Sequence, residues 1–258
     1  MRLVDYITES RFLLKDTQGL FWTTTEITRC INQARYQISL MAGCIPILIP
    51  GNAPAGSSAV PASMIPGGLT PGAADTAFQT ISGQERYSFG YANAYALAQN
   101  AHIKGIINVD NVSVNWGGAS GSSGNRPMLS WLPWDEFQAY CRAWAVGVTS
   151  FPFVWSQFGD GERGQVWLFP IPNQALEMQW SCDCAPKDIY SNDDYEALPD
   201  PFTSFVPFYA AHLAALNSQR YGQAQILLDL FEKNSGLSRA AADRGKTPSM
   251  YSGGRMRW

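Results

Sequence analysis

Apolar positions at the start of the chain fall at helical spacing. Leu3, Val4, Ile7, Phe12 and Leu14 share a stripe through residues 4–15, and Asp16-Thr17-Gln18-Gly19 supplies the turn chemistry that ends it. Thr23-Thr24-Thr25-Glu26 reads as a capping box, in which a threonine hydroxyl accepts from the third backbone N–H while the glutamate reaches back. The helix it opens runs to about residue 42, burying Ile27, Cys30, Ile31, Ala34, Ile38 and Met41 and leaving Arg29, Gln33, Arg35 and Gln37 in water. From 43 to 75, Pro46, Pro50, Pro54, Pro61, Pro66 and Pro71 stand too close together for helix or central strand. That segment is expected to be an extended arm. Its apolar Ile45, Ile47, Leu48, Ile49, Met64 and Ile65 point to contact with a neighbouring subunit.

Alternation of polar and apolar residues then predicts strands over 76–82, 85–89 and 106–116, the last followed by a Gly/Ser loop at 117–124. Leu132-Pro133-Trp134-Asp135-Glu136-Phe137 predicts a helix start, with proline in the first turn and acids near the positive end of the dipole, running to about Trp144. Residues 151–157 and 165–170 pair as a hairpin about Gly159-Asp160-Gly161, and 175–183 places Leu176, Met178, Trp180 and Cys182 on one face. Strands with one short helix predict a small antiparallel sheet or sandwich. Helical spacing returns in a segment beginning at Pro201, through Phe202, Phe205, Val206, Tyr209, Leu213 and Leu216. A second helix from about Gln223 carries Ile226, Leu227, Leu230 and Phe231, and the two are able to pair with the N-terminal helices. The expected class is α+β, divided into a helical hairpin (1–42), the arm (43–75), a β-rich insertion (76–190), C-terminal helices (191–243) and a tail (244–258).

Charge narrows the function classes. The 18 basic and 21 acidic residues are spread along the chain, so affinity from covering nucleic-acid phosphates is not expected. Only 15% of residues are charged while 13% are aromatic, which leaves a surface rich in neutral polar and aromatic groups of the kind that meets partners. No signal-like apolar core follows Met1, and no run approaches the roughly 20 apolar residues of a membrane span, so no membrane partner and assembly in the cytoplasm are expected. Cys30, Cys44, Cys141, Cys182 and Cys184 lack the paired spacing of a zinc site and read as reduced and buried, and no metal or other cofactor is expected.

Catalytic signatures are weak. His102 and His212 are far apart in sequence, and His212 lies in an apolar helix where a local hydrogen bond satisfies it. Hydrolase, phosphate-loop and metalloprotease motifs are missing from the sequence, so the expectation is a protein that is not an enzyme. The rival is a glycan-binding or glycan-cleaving protein. Asp193, Asp194 and Glu196, or Asp135 and Glu136, supply paired carboxylates, and Trp116, Trp131, Trp155, Trp167 and Trp180 supply aromatic faces, although a sheet core uses tryptophans in the same pattern. The final stretch carries Arg244, Lys246, Arg255 and Arg257 with no acid beyond Asp243, together with Met250, Tyr251 and Trp258. It reads as a docking peptide whose Arg and Trp side chains are the anchors.

Several of these stretches, in this order, resemble the head-to-tail adaptor (connector, head completion) proteins of tailed bacteriophages, related to the adaptors of short-tailed phages. The carrying residues are Phe21-Trp22-Thr23-Thr24-Thr25-Glu26-Ile27 continuing through Ile31-Asn32-Gln33-Ala34 to Ile38, then Val166-Trp167-Leu168-Phe169-Pro170-Ile171-Pro172, then Val206-Pro207-Phe208-Tyr209-Ala210-Ala211 followed by Ala224. The resemblance implies a helical bundle made from both chain ends with a β-rich insertion. It also implies a virion protein that forms a dodecameric ring at the head–tail junction, between the portal protein and a tail, nozzle or tail-tube protein. Double-stranded DNA would pass through that ring during ejection, and the C-terminal tail would dock on the portal. The family brings no catalytic residues. The 43–75 arm and the 117–124 loop depart from its shorter members, and a minor capsid or tail-tube component differs from an adaptor mainly in partner.

Overall fold

The structure, a computed structural model, describes residues 1–49, 78–116, 126–143 and 147–243. It is a mixed α+β chain that divides into two compact units. Within the described residues, unit 1 comprises Met1–Ile45, His102–Lys104 and residues 185–243, and unit 2 comprises Pro46–Ala101 and Gly105–Cys184. No helix among the described residues is long and apolar enough to cross a membrane.

Unit 1 is helical: α1 (Leu3–Leu13), α2 (Thr24–Ala42), α5 (Asp200–Thr203), α6 (Val206–Asn217) and α7 (Tyr221–Asp243). The capping box forms as expected. Glu26 N–H donates to Thr23 Oγ1 at 3.2 Å and Thr23 N–H donates to Glu26 Oε2 at 2.9 Å, while Gly43 ends α2 in the left-handed region that a side chain disfavours. α6 packs against α1, α2 and α7. Its buried Ala210, Ala211, Ala214 and Ala215 are small enough to let those neighbours approach closely. The segment expected to run as one helix from Pro201 is two helices, because the Pro207 ring has no N–H and excludes the carbonyl four residues back. Along α7, Leu227 and Phe231 are buried whereas Ile226 and Leu230 face solvent. Arg35, expected on the wet face of α2, is fully buried because it has a partner that sequence spacing does not reveal.

Unit 2 holds the sheets and several short helical elements. β1 (Pro46–Ile49) pairs antiparallel with β9 (Met178–Pro186), whose other neighbour is β3 (Ile103–Val114). A four-stranded sheet runs β2 (Arg86–Ser88), β7 (Gln165–Phe169), β6 (Val154–Phe158), β4 (Ser130–Trp131), and a small sheet joins β5 (Thr149–Ser150) to β8 (Ile171–Pro172). The expected β6–β7 hairpin is present. The expected antiparallel character is not uniform, because β4–β6 and β5–β8 pair parallel. The predicted face of β9 is realised in full: Leu176, Met178, Trp180 and Cys182 have no exposed surface. Trp180 sits edge-on to Phe78 at 5.0 Å, and Phe78 contacts Tyr91 and Tyr95, which makes an aromatic core. Those tyrosines come from α3 (Phe89–Gln99), an element absent from the sequence reading. The helix expected at 132–144 is α4 (Trp134–Phe137) followed by a π-helical turn, Gln138–Arg142.

Candidate functional site

A cleft of unit 2 is built by the loop after Thr80 and by the π-helical turn. The Tyr87 hydroxyl accepts from Ile81 N–H at 2.9 Å and donates to the Gln84 carbonyl at 3.1 Å, and Gly83 N–H donates to the Pro172 carbonyl at 2.8 Å, so the loop is held from within the fold. β2 then places Arg86 opposite Trp167 of β7. From the other wall Arg142 lies 4.8 Å from the centre of the Trp167 ring, with its Nε 3.3 Å from Glu85 Oε1. The cleft has a volume of about 580 Å³, and a second of about 400 Å³ shares Glu85 and Arg142 as its wall. Beneath lie Phe137, Cys141, Val154 and Trp167, so the guanidinium rests on packed apolar ground. Two guanidiniums against one carboxylate make this an anion-recognition site by composition.

In unit 1 a buried polar network fixes the return segment that leads to the C-terminal helices. Arg35 Nη2 lies 2.8 Å from Glu196 Oε1, its Nε donates to both Glu196 oxygens, and its Nη1 donates to Asn32 Oδ1 and to the Lys187 carbonyl. Glu196 also accepts from the Tyr6 hydroxyl at 2.8 Å, and Asn32 both donates to the Ile189 carbonyl and accepts from its N–H. Burial, reinforced by the Glu196 charge, raises the Tyr6 phenol far above its ordinary value. Held at both ends, the chain between makes a protruding turn. The Asp194 carboxylate accepts from Tyr190 and Ser191 N–H, both at 2.7 Å, and those bonds hold it below the usual carboxylate range. Tyr190 and Tyr195 stay largely exposed, with Tyr195 leaning on His102 at 4.2 Å.

The α1–α2 turn is organised by Asp16, the first residue of the turn read in the sequence, whose burial that reading did not reveal. Buried Asp16 accepts from the backbone N–H groups of Leu20, Phe21 and Trp22 at 2.8–3.2 Å. Burial alone would raise its pKa, but those donors, with Arg11, hold it below the ordinary carboxylate value. Trp22 is buried with its indole N–H on Ser218 Oγ, and Arg220 lies over the Phe21 and Trp22 rings, while Leu20 and Phe21 remain 78% and 70% exposed.

The residues singled out from sequence distribute as follows. Asp194 caps its own turn, Glu196 is committed to Arg35, and Asp135 and Glu136 sit exposed in the first turn of α4, so these carboxylates do not converge as an acid–base pair. Trp155, Trp167 and Trp180 are core residues, and Trp116 is the exposed one of the five, 6.0 Å from Phe151. His212 Nδ1 donates to the Ala224 carbonyl at 2.8 Å. All five cysteines are free and buried. Of the arm residues, Ile45 and Ile49 are buried in the single chain, and β1 pairs with β9 through Ile49 opposite Trp180. Ile47 is half-buried, Leu48 is exposed, and Met64 and Ile65 lie outside the described residues. Arg244, Lys246, Met250, Tyr251, Arg255, Arg257 and Trp258 also lie outside them. The cleft residues Glu85, Arg86 and Arg142 carried no signal, because residues far apart in sequence build the site. No protein-family model matches the chain, and a search of curated proteins found no match either.

Proposed function

We propose that this chain is a structural head-to-tail adaptor of a tailed phage, assembling as a ring between the portal and the tail and continuing the DNA channel. The observation that carries the reading is the chain order of unit 1: helices from both ends of the sequence pack on α6, and the β-rich unit is inserted between them. This order supports the reading, in which α1, α2, α6 and α7 would be the bundle and unit 2 the insertion. Many copies then sum modest contacts into a stable ring. The basic tail, 244–258, is the portal-docking element in this reading. Co-sedimentation with the portal protein of the same phage tests it, comparing the full chain with a version ending at Asp243. The full chain is expected to bind and the shortened chain to lose binding while keeping its unfolding midpoint. Undiminished binding by the shortened chain would contradict the docking role.

A further inference from the structure

We infer that the cationic cleft of unit 2 receives the acidic Tyr190–Asp194 turn of a second copy of this chain. The cleft side is a preorganised charge. Arg142 is fixed between the Trp167 ring and Glu85, which takes its Nε edge and leaves the Nη edge for an incoming oxygen. Among the described residues Arg86 has no ion pair, so the cleft offers two cations against the single carboxylate of Glu85. Ser82 and Gln84 of the same loop spend their side chains on the Asn173 and Arg86 carbonyls, which leaves recognition to the guanidiniums.

The turn side is complementary in sign and equally fixed. Residues 188–196 hold Asp188, Asp193, Asp194 and Glu196 and no base. Glu196 is neutralised by Arg35, Asp188 is 3.9 Å from Lys104, and Asp194 caps the turn, so Asp193 is the carboxylate free to be recognised; Lys187 is the other cation nearby in sequence. Tyr190, 74% exposed and with its hydroxyl 3.5 Å from Asp188 Oδ2, is the aromatic anchor three residues before it. A cleft of about 580 Å³ is within the usual range for a bound group and accommodates a tyrosine with a neighbouring carboxylate. The contact joins turn to cleft, and repeated from copy to copy it gives a reciprocal pair, a closed ring or an open filament. Closure of the ring rests on the adaptor reading; recognition of the turn by the cleft does not.

The probe is a capped synthetic peptide of residues 188–196, titrated against the full-length protein by fluorescence anisotropy. Saturable binding is expected, weakened at least about tenfold by Arg86→Gln, by Arg142→Gln and by Asp193→Asn in the peptide, and weakened by added salt. Arg86 is exposed, so its variant keeps the fold even if Arg142→Gln does not. In the assembly arm, an Arg86→Gln/Arg142→Gln chain and a Tyr190→Ser/Asp193→Asn chain are each expected to stay monomeric. Mixed, they are expected to stop at dimers, since each retains one working surface. Equal peptide binding by the Arg86→Gln protein, or complete displacement of the peptide by inorganic phosphate alone, would overturn the inference. Wild-type-like assembly by both double variants would overturn it while leaving the adaptor reading intact. Failure of the wild type to assemble with portal would sink the adaptor reading, and the peptide titration would still decide this one.

Discussion

At the residue scale, two buried charges explain why unit 1 holds its irregular segments in place. Arg35 and Glu196 are a bidentate pair further bonded to Asn32, Lys187, Tyr6 and Leu198, so removing one member strands the other in the core. Arg35→Ala is therefore expected to lower the unfolding free energy by about 3–5 kcal/mol, whereas Arg35→Met with Glu196→Leu is expected to cost far less. Denaturant unfolding of the two variants checks the difference. Asp16 acts on the turn before α2. Its folded-state pKa lies below the unfolded value, so its contribution is present above about pH 3.9 and is lost as pH falls through the folded value. The amide shifts of Leu20, Phe21 and Trp22 are expected to titrate together with a midpoint below the ordinary aspartate value, and Asp16→Ala is expected to abolish that transition. The Thr23–Glu26 cap was legible because its partners are three residues apart. Asp16 and Arg35 were not, since the groups that justify their burial are conformational in one case and 161 residues distant in the other.

At the element scale, legibility followed the strength of local periodicity. β9 showed a two-residue alternation and buries every residue that alternation selected, so Trp180→Ala is expected to cost about 3–5 kcal/mol in an unfolding titration. α3 escaped notice because Phe89–Gln99 has no charged residue and no polar face to set a helical period. Its signals were the Ser88 cap, whose hydroxyl accepts from Tyr91 N–H at 3.2 Å, and the Tyr91 and Tyr95 pair one turn apart. The close fit of α3 to the β6–β7 turn depends on Gly164, where the Phe89 ring occupies the space a side chain would take. The cysteines belong to this scale too. Burial raises the thiol pKa of Cys182 well above the ordinary value and that of Cys184 to about 12, so a thiol-reactive dye at mildly alkaline pH is expected to label them only on unfolding. Prompt labelling of the native protein would contradict the packing of the β9 face.

At the scale of the whole molecule, the sequence conveyed the α+β class but neither α3 nor the strand pairing. The β4–β6 and β5–β8 contacts are parallel and join short strands of two residues, which carry too little pattern to predict a partner. Nor did it show the cleft, because the β2–β7 pairing brings Glu85 and Arg86 to Trp167 and the π-helical turn brings Arg142. Among the described residues, helices from before and after unit 2 in the sequence, α1, α2, α6 and α7, belong to one helical unit, and the adaptor account depends on that order. The most direct test is the native mass of the full-length chain mixed with the portal of the same phage. The account predicts one complex in which this chain is present in the same copy number as the portal subunit; a portal ring that leaves the chain as free monomer at every concentration would contradict it.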